Sequence, residues 1–302
     1  MLGMAEDTTS AERRLDDSTV GTITIGGDLT VRRLGFGAMR ISGARNAAGV
    51  RDRDEARRLC RTVVDRGVNF IDAANIYGYG ECEEIIGEAL RPYPKDLVVA
   101  TKAGFRPGKI EPGKTSLPPL GRPEHIKAEC DKSLARLGVE TIDLYQVHVP
   151  DPEVPYEDTV GAFVELQQAG KVRHIGVSNV TLDQLAIARS LCEVVSVQNR
   201  YNAGSRASDP VLEVCERDRI AFLPWAPIIL EDTPAEATIT SIAADHGVST
   251  QQVGLQWLLH RSPVMLPIPG TSKVDHAQEN LDAAWLSLSD DELGRLDAAI
   301  AG

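Results

Sequence analysis

Val68-Asn69-Phe70-Ile71-Asp72-Ala73-Ala74-Asn75-Ile76-Tyr77-Gly78 is the stretch whose reading decides the fold. Residues 68–73 form a nearly continuous apolar run of strand length, the pattern of a strand buried on both faces. The run breaks at its end into polar residues and a glycine. Seven other runs of the same kind lie at 34–39, 97–101, 142–149, 172–177, 194–198, 220–224 and 264–267. The segments between them carry helical spacing. Ala56, Leu59, Cys60, Val63 and Val64 fall on one stripe with Gly67 behind them as a stop. Ile126, Cys130, Leu134 and Leu137 form another, with Pro123 near the first turn and Gly138 after the last. Eight buried strands alternating with helices predict an α/β fold, a (β/α)8 TIM barrel. A doubly wound sheet is the rival, but Gly35-Phe36-Gly37 is only half of a G-x-G-x-x-G turn and no helix follows it directly.

Ahead of the barrel, Thr22-Ile23-Thr24-Ile25 and Leu29-Thr30-Val31 alternate around Gly26-Gly27-Asp28, which predicts an N-terminal β-hairpin. Residues 1–18 are polar, acidic and rich in Ser and Thr, and are expected to be a disordered tail. No linker divides the remainder, so residues 19–302 are expected to form a single domain. The longest loop, 103–122, holds four prolines and four glycines. It follows the third barrel strand and so lies at the C-terminal face, where barrel active sites are built.

Composition narrows the function. The 302 residues carry 32 basic and 44 acidic side chains, a net charge of −12. That balance argues against nucleic acid and anionic membranes as partners, and no apolar run approaches the roughly 18 residues of a membrane span. Cysteines 60, 82, 130, 192 and 215 are scattered, odd in number and without C-x-x-C spacing. Reduced thiols in a cytoplasmic protein are the expectation. The N-terminus has no basic segment and apolar run of the signal-peptide kind. Nothing in the sequence demands a second chain, and a monomer is compatible with it. The six histidines contain no H-x-H or H-x-x-x-H pair, so no metal site is expected.

The polar residues at strand ends carry the chemistry. Asp72, Lys102 and His148 would point towards one mouth, with Tyr77 on the loop just past Asp72. A lysine beside a phenol favours the phenolate and should lower the tyrosine pKa, while a carboxylate holds the lysine charged and placed. Such a tyrosine can protonate a carbonyl oxygen as negative charge develops there. Taken singly, each residue has a plainer reading: a structural ion pair, a hydrogen-bonded histidine, a packing tyrosine. It is the four together at one mouth that read as catalytic.

These residues and their contexts resemble the aldo-keto reductase family of NAD(P)(H)-dependent reductases, from the hairpin near residue 22 to about residue 284. Asp72 and Tyr77, five apart and followed by Gly78, match the family's catalytic aspartate and tyrosine; Lys102 and His148 match its lysine and histidine. The resemblance implies reduction of aldehydes or ketones to alcohols, hydride coming from the nicotinamide and the proton from Tyr77. It implies NADP(H), with NAD(H) an alternative, and a small carbonyl compound as the partner. It also implies a cofactor track. Gly37, Ala38 and Met39 would lie beneath the nicotinamide near Asp72, with Met39 and Arg40 towards the substrate side of the ring; packing for Met39 and a surface salt bridge for Arg40 are equal alternatives. Ser178, Asn179 and Gln198 would hold its carboxamide. Trp225 would stack on its ring, followed by Ala226, Pro227 and Ile228. Pro269, Gly270, Thr271, Ser272, Lys273 and His276 would hold the 2′-phosphate, with Glu279 and Asn280 near the adenine. Many members of the family have Lys where Gly270 stands and Arg where His276 stands, and both cations bear on the preference for NADPH. Two other functions fit the same barrel: a cofactor-binding regulatory or redox-sensing subunit, and a Schiff-base lyase using Lys102. Asp72 would raise the Lys102 pKa, which argues against the lyase.

Overall fold

The computed structural model describes residues 13–45, 49–50, 52–108, 116–229 and 234–301. Residues 13–18 are folded, against what their composition suggests. Leu15 is only 1% exposed, and its N–H donates to the Arg66 carbonyl at 2.8 Å. Asp16 accepts the N–H groups of Ser18 and Thr19, both at 2.9 Å, and so caps the short helix α1 (Asp17–Val20). The expected loose tail through residue 18 is therefore corrected for residues 13–18, where a buried leucine and a cap offset the cost of ordering. Residues 1–12 lie outside the described residues.

Strands β1 (Thr22–Ile25) and β2 (Leu29–Arg32) pair as the expected antiparallel hairpin, turning at Gly26 and Gly27 with φ of 60° and 80°. The hairpin sends Ile25, Leu29 and Val31 into a cluster with Phe70, Val98, Leu144, Val195, Leu223 and Leu266. These residues come from the barrel strands, so the hairpin closes the end opposite the strand C-termini.

Seven parallel strands follow in sequential order: β3 (Phe36–Gly37), β4 (Phe70–Asp72), β5 (Val98–Ala103), β6 (Ile142–Val147), β7 (Val172–Ser178), β8 (Val194–Gln198) and β9 (Ala221–Phe222). The eighth run closes the circle without forming a regular ladder. Leu266 donates to Phe222 O at 2.9 Å on one side, while Gly35 and Gly37 donate to Pro267 O and Pro269 O at 2.9 and 3.1 Å on the other. Pro267 and Pro269 have no N–H to give, so residues 264–269 complete the (β/α)8 barrel as an irregular segment. The first run is shorter than expected because a 3₁₀ turn, Ala38–Gly43, begins directly after Gly37.

Around the strands lie α2 (Arg53–Asp65), α3 (Glu81–Leu90), α4 (Pro123–Leu137), α5 (Tyr156–Gln168), α6 (Leu182–Leu191), α7 (Asp209–Asp218), α8 (Glu236–His246), α9 (Thr250–Arg261), α10 (Val274–Asp282) and α11 (Asp290–Ala301). The stripes read from sequence are the buried faces: Ala56, Leu59, Cys60 and Val63 in α2, Ile126, Cys130 and Leu137 in α4. Among the described residues no helix is long and apolar enough to cross a membrane.

Register sets the site. Phe70 pairs with Val98 and Asp72 with Ala100; Lys102 pairs with Gln146, and Gly176 with both Gln146 and Ser196. Since side chains alternate with period two, the inward residues two positions beyond the apolar layer of Phe70, Val98 and Leu144 are Asp72 and Gln146. The barrel interior thus changes from apolar to polar along its axis, and the polar layer lies at the strand C-termini.

Candidate active site

A cleft of about 1390 Å³ opens at the C-terminal face, running from Tyr77 and His148 past Trp225 to Thr271 and Asn280. Small-ligand pockets are typically about 300–1000 Å³, so there is room for an extended ligand and a second molecule beside it. The ends of loop 103–122 lie along one wall. They are joined by Arg106 N–H to Pro118 O at 2.8 Å and Leu120 N–H to Gly104 O at 2.7 Å, and Phe105, Ser116 and Leu117 face the cleft. Residues 109–115 lie outside the described residues.

At the floor, Asp72 is 2% exposed and Lys102 is fully buried. Lys102 Nζ donates to Asp72 Oδ2 and to Ala73 O, both at 2.7 Å. The other carboxylate oxygen, Oδ1, accepts from Gln198 Nε2 at 2.8 Å and Gln146 Nε2 at 3.3 Å. Ser196 Oγ in turn donates to Gln146 Oε1 at 3.3 Å. A buried ion pair survives only when its remaining hydrogen-bonding capacity is met, and donors from two further strands, β6 and β8, meet it here. Lys102 does not line the cleft. Burial pulls its ammonium pKa down, against the upward push of Asp72. Asp72 pushes it up as expected, but desolvation is the larger effect and the net shift is downward. A lysine nucleophile is disfavoured for a different reason, namely that its Nζ is enclosed and already donates to two acceptors.

Tyr77 begins the 3₁₀ turn Tyr77–Gly80 and is half-buried, its ring lining the cleft with Lys102 Nζ 5.2 Å from the ring centroid. Burial, reinforced by the Asp72 carboxylate, holds its phenol pKa far above the ordinary value. The sequence expectation was the opposite. The lysine charge does not reach the phenol unopposed, because Asp72 takes it up at 2.7 Å. Tyr77 therefore keeps its proton, which is the state a proton donor needs.

His148 is 7% exposed and faces the cleft between two rings. Tyr77 meets it edge-on at 5.8 Å and 84°, Phe105 at 4.6 Å and 75°. Burial and the Lys102 charge hold its pKa well below 6.5, so the imidazole is neutral. Its Nδ1 is buried without a hydrogen-bond partner.

Further along, Trp225 donates its indole N–H to Asn179 Oδ1 at 3.0 Å, which fixes the plane of the ring. Asn179 Nδ2 donates to His148 O at 3.0 Å and to Ser178 Oγ at 3.1 Å, and Ser178 Oγ donates to Gln198 O at 2.7 Å. Asp72, Ser178, Asn179, Gln198, Trp225, Ala226, Pro227 and Ile228 all line the cleft, as do Gly37 and Met39. Ala38 does not; it is buried and accepts from Cys82 Sγ at 3.3 Å.

At the far end, Gly270, Thr271, His276, Glu279 and Asn280 line the cleft, whereas Pro269, Ser272 and Lys273 do not. Lys273 is the exposed N-cap of α10, which has no side-chain cap, so the first N–H groups of the helix remain available to an anion. Gly270 is a close approach. A Cβ there would meet Gly37 O at 2.5 Å, so a larger residue at this position would force the two backbones apart.

Sequence reasoning missed Gln146, Phe105 and Asn75. Gln146 was legible, since it stands on the inward face of β6, two residues before His148 just past the strand's end. Phe105 gave no signal, being a loop residue whose value comes from its edge contact with His148. Asn75 donates to Glu129 Oε2 at 2.8 Å, a contact with α4 made across the fold. No group of three or more His, Cys, Asp or Glu side chains able to hold a metal occurs among the described residues.

The model of the aldo/keto reductase family matches residues 33–230 and 231–301, and the chain belongs to that family of oxidoreductases. It is 41% identical over 294 residues to an uncharacterized oxidoreductase of Schizosaccharomyces pombe, covering 96% of this chain and 93% of that protein. It is 39% identical over 282 residues to a pyridoxine 4-dehydrogenase of Escherichia coli, covering 91% and 97%. The crystal structure of an aldo/keto reductase from Klebsiella pneumoniae in complex with NADP and acetate superposes with a TM-score of 0.76 at 25% identity, over 92% of this chain and 94% of that one.

Proposed function

We propose that the protein is an NADP(H)-dependent carbonyl reductase that converts small aldehydes or ketones to alcohols, with Tyr77 as the proton donor. One observation carries the reading. A phenol that keeps its proton faces an open cleft, backed by a buried Asp72–Lys102 pair and flanked by a neutral His148. The residues present fit a dinucleotide. The indole of Trp225 is locked in plane, the cleft exceeds what one small molecule needs, and His148 Nδ1 is buried without a partner. The Klebsiella relative's complex with NADP and the likeness to a pyridoxine 4-dehydrogenase support the same reading.

The nicotinamide cofactor, when bound, supplies the hydride. This chain's residues do the rest. Tyr77 gives its proton to the carbonyl oxygen as charge develops there, and His148 orients that oxygen from the side. Lys102, 5.2 Å from the Tyr77 ring centroid, lowers the cost of the phenolate that proton transfer leaves behind. Asp72 keeps Lys102 in place, and Gln198 and Gln146 keep Asp72 in place. Trp225 offers the stacking face, Gly37 and Met39 the floor, and Ser178, Asn179 and Gln198 the amide edge. Thr271, His276 and the open end of α10, with Ser272 and Lys273 beside them, suit the 2′-phosphate, and Glu279 and Asn280 suit the adenine. The cytoplasm suits the enzyme, whose described cysteines are all free thiols and mostly buried. The test is consumption of NADPH and of NADH against aldehydes, ketones and quinones. Turnover with NADPH above NADH is the expected result, and tight cofactor binding without turnover on any carbonyl would favour a regulatory subunit instead.

A further inference from the structure

Among the described residues, Arg40 is the only arginine or lysine that lines the cleft. It is exposed, and it makes no hydrogen bond or ion pair among the described residues. Arginines of α2, by contrast, are paired. Arg53 pairs with Glu84 and Glu88, Arg57 with Glu88, and Arg58 with Glu55. A net charge of −12 repels anions at a distance, so an anion that reaches the cleft must be held by a charge close at hand.

The surroundings of Arg40 define the rest of the ligand. Its 3₁₀ turn, Ala38–Gly43, is tied by the Cys82 Sγ to Ala38 O contact to α3, the helix that directly follows the Tyr77 turn. Beside Tyr77 stand ring edges, His148 meeting Tyr77 at 5.8 Å and Phe105 at 4.6 Å, and Met39, Leu117 and Ile228 add apolar side chains to the cleft lining. Ring edges and flexible apolar side chains suit a flat ring, and a guanidinium suits a carboxylate or phosphate. We infer that Arg40 selects carbonyl substrates built on a flat ring with an anionic substituent. The inference rests on the cleft being the carbonyl-reduction site and adds the class of substrate it takes.

The experiment compares 4-formylbenzoate with 4-formylbenzamide, which differ in charge and hardly in shape. Dissociation constants are measured by calorimetry on the protein saturated with NADP⁺, where no hydride is available, for wild type, Arg40→Gln and Arg40→Lys. NADPH oxidation with both aldehydes is followed in parallel, together with the NADPH dissociation constant of each variant. The expected result is about tenfold tighter binding of the benzoate in wild type, lost in Arg40→Gln and partly kept in Arg40→Lys. That preference should shrink as salt is raised and should reappear in KM rather than kcat. Equal binding of the two aldehydes in wild type, no binding of either, or a preference unchanged in Arg40→Gln would overturn it. So would a loss of NADPH affinity in Arg40→Gln with the aldehyde preference intact, which would assign the arginine to a cofactor phosphate. Failure of the carbonyl-reductase reading looks different, because the binding preference would stand while neither aldehyde is reduced.

Discussion

Replacing Lys102 by methionine keeps most of the side chain's volume and removes its charge. In wild type the ammonium, fully buried, bonds Asp72 Oδ2 and Ala73 O at 2.7 Å each. In the variant the Asp72 carboxylate stays buried with only two amide donors on its other oxygen, at 2.8 and 3.3 Å. Removing one partner of a buried pair costs about 3–5 kcal/mol, because the other charge is left uncompensated. Unfolding entropy is about 2.1 cal/mol/K per residue. For 302 residues the loss becomes a fall in Tm of roughly 5–8 °C. The assay is thermal and urea unfolding of wild type, Lys102→Met, Asp72→Asn and the double variant. The double variant should recover a large part of the loss, since it buries no lone charge. A Lys102→Met penalty below about 1 kcal/mol, as for an exposed pair, or strict additivity of the two changes, would refute this picture of the floor.

Two further outcomes are expected. His148 is buried and neutral in the fold, with a pKa well below 6.5, and must take up a proton on unfolding in acid. The unfolded chain thus binds more protons as pH falls below about 6.5, and native stability declines in that window by up to about 1.4 kcal/mol per pH unit from this group. His148→Gln should flatten that decline in unfolding measured from pH 5 to 7. Lys273, exposed at the open end of α10, should read the 2′-phosphate. Lys273→Ala should weaken NADPH binding about tenfold, more at low salt, with NADH little changed; equal changes in both dissociation constants would remove Lys273 from the phosphate site.

The barrel was legible because strands buried on both faces read as continuous apolar runs. Residues 264–267 were legible as a strand position but not as a broken ladder, since apolar character marks burial while the prolines decide which hydrogen bonds can form. Asp72, Tyr77 and His148 lay where strand ends place them. Lys102 was read as pointing with Asp72 and His148 towards the mouth, whereas it is enclosed beside Asp72 and does not line the cleft, because the distance between a side chain and solvent depends on packing that no spacing encodes. The same limit inverted the sign of the Tyr77 pKa shift. Charge proximity can be read from a sequence, whereas the desolvation that outweighs it here needs coordinates. Gly270 shows the converse. The missing family lysine looks like a weakened phosphate site in the sequence, while the structure shows a backbone contact with Gly37 that leaves no room for a side chain.

The central claim is that Tyr77 donates the proton, and Tyr77→Phe tests it most directly. The phenyl ring keeps the edge contact with His148 and the 5.2 Å approach of Lys102, so the fold and the cofactor site should persist. NADPH affinity should stay within about twofold, and kcat for aldehyde reduction should fall by about 10²–10⁴-fold, the usual contribution of general acid catalysis. Turnover by Tyr77→Phe at the wild-type rate, with NADPH bound, would contradict the account.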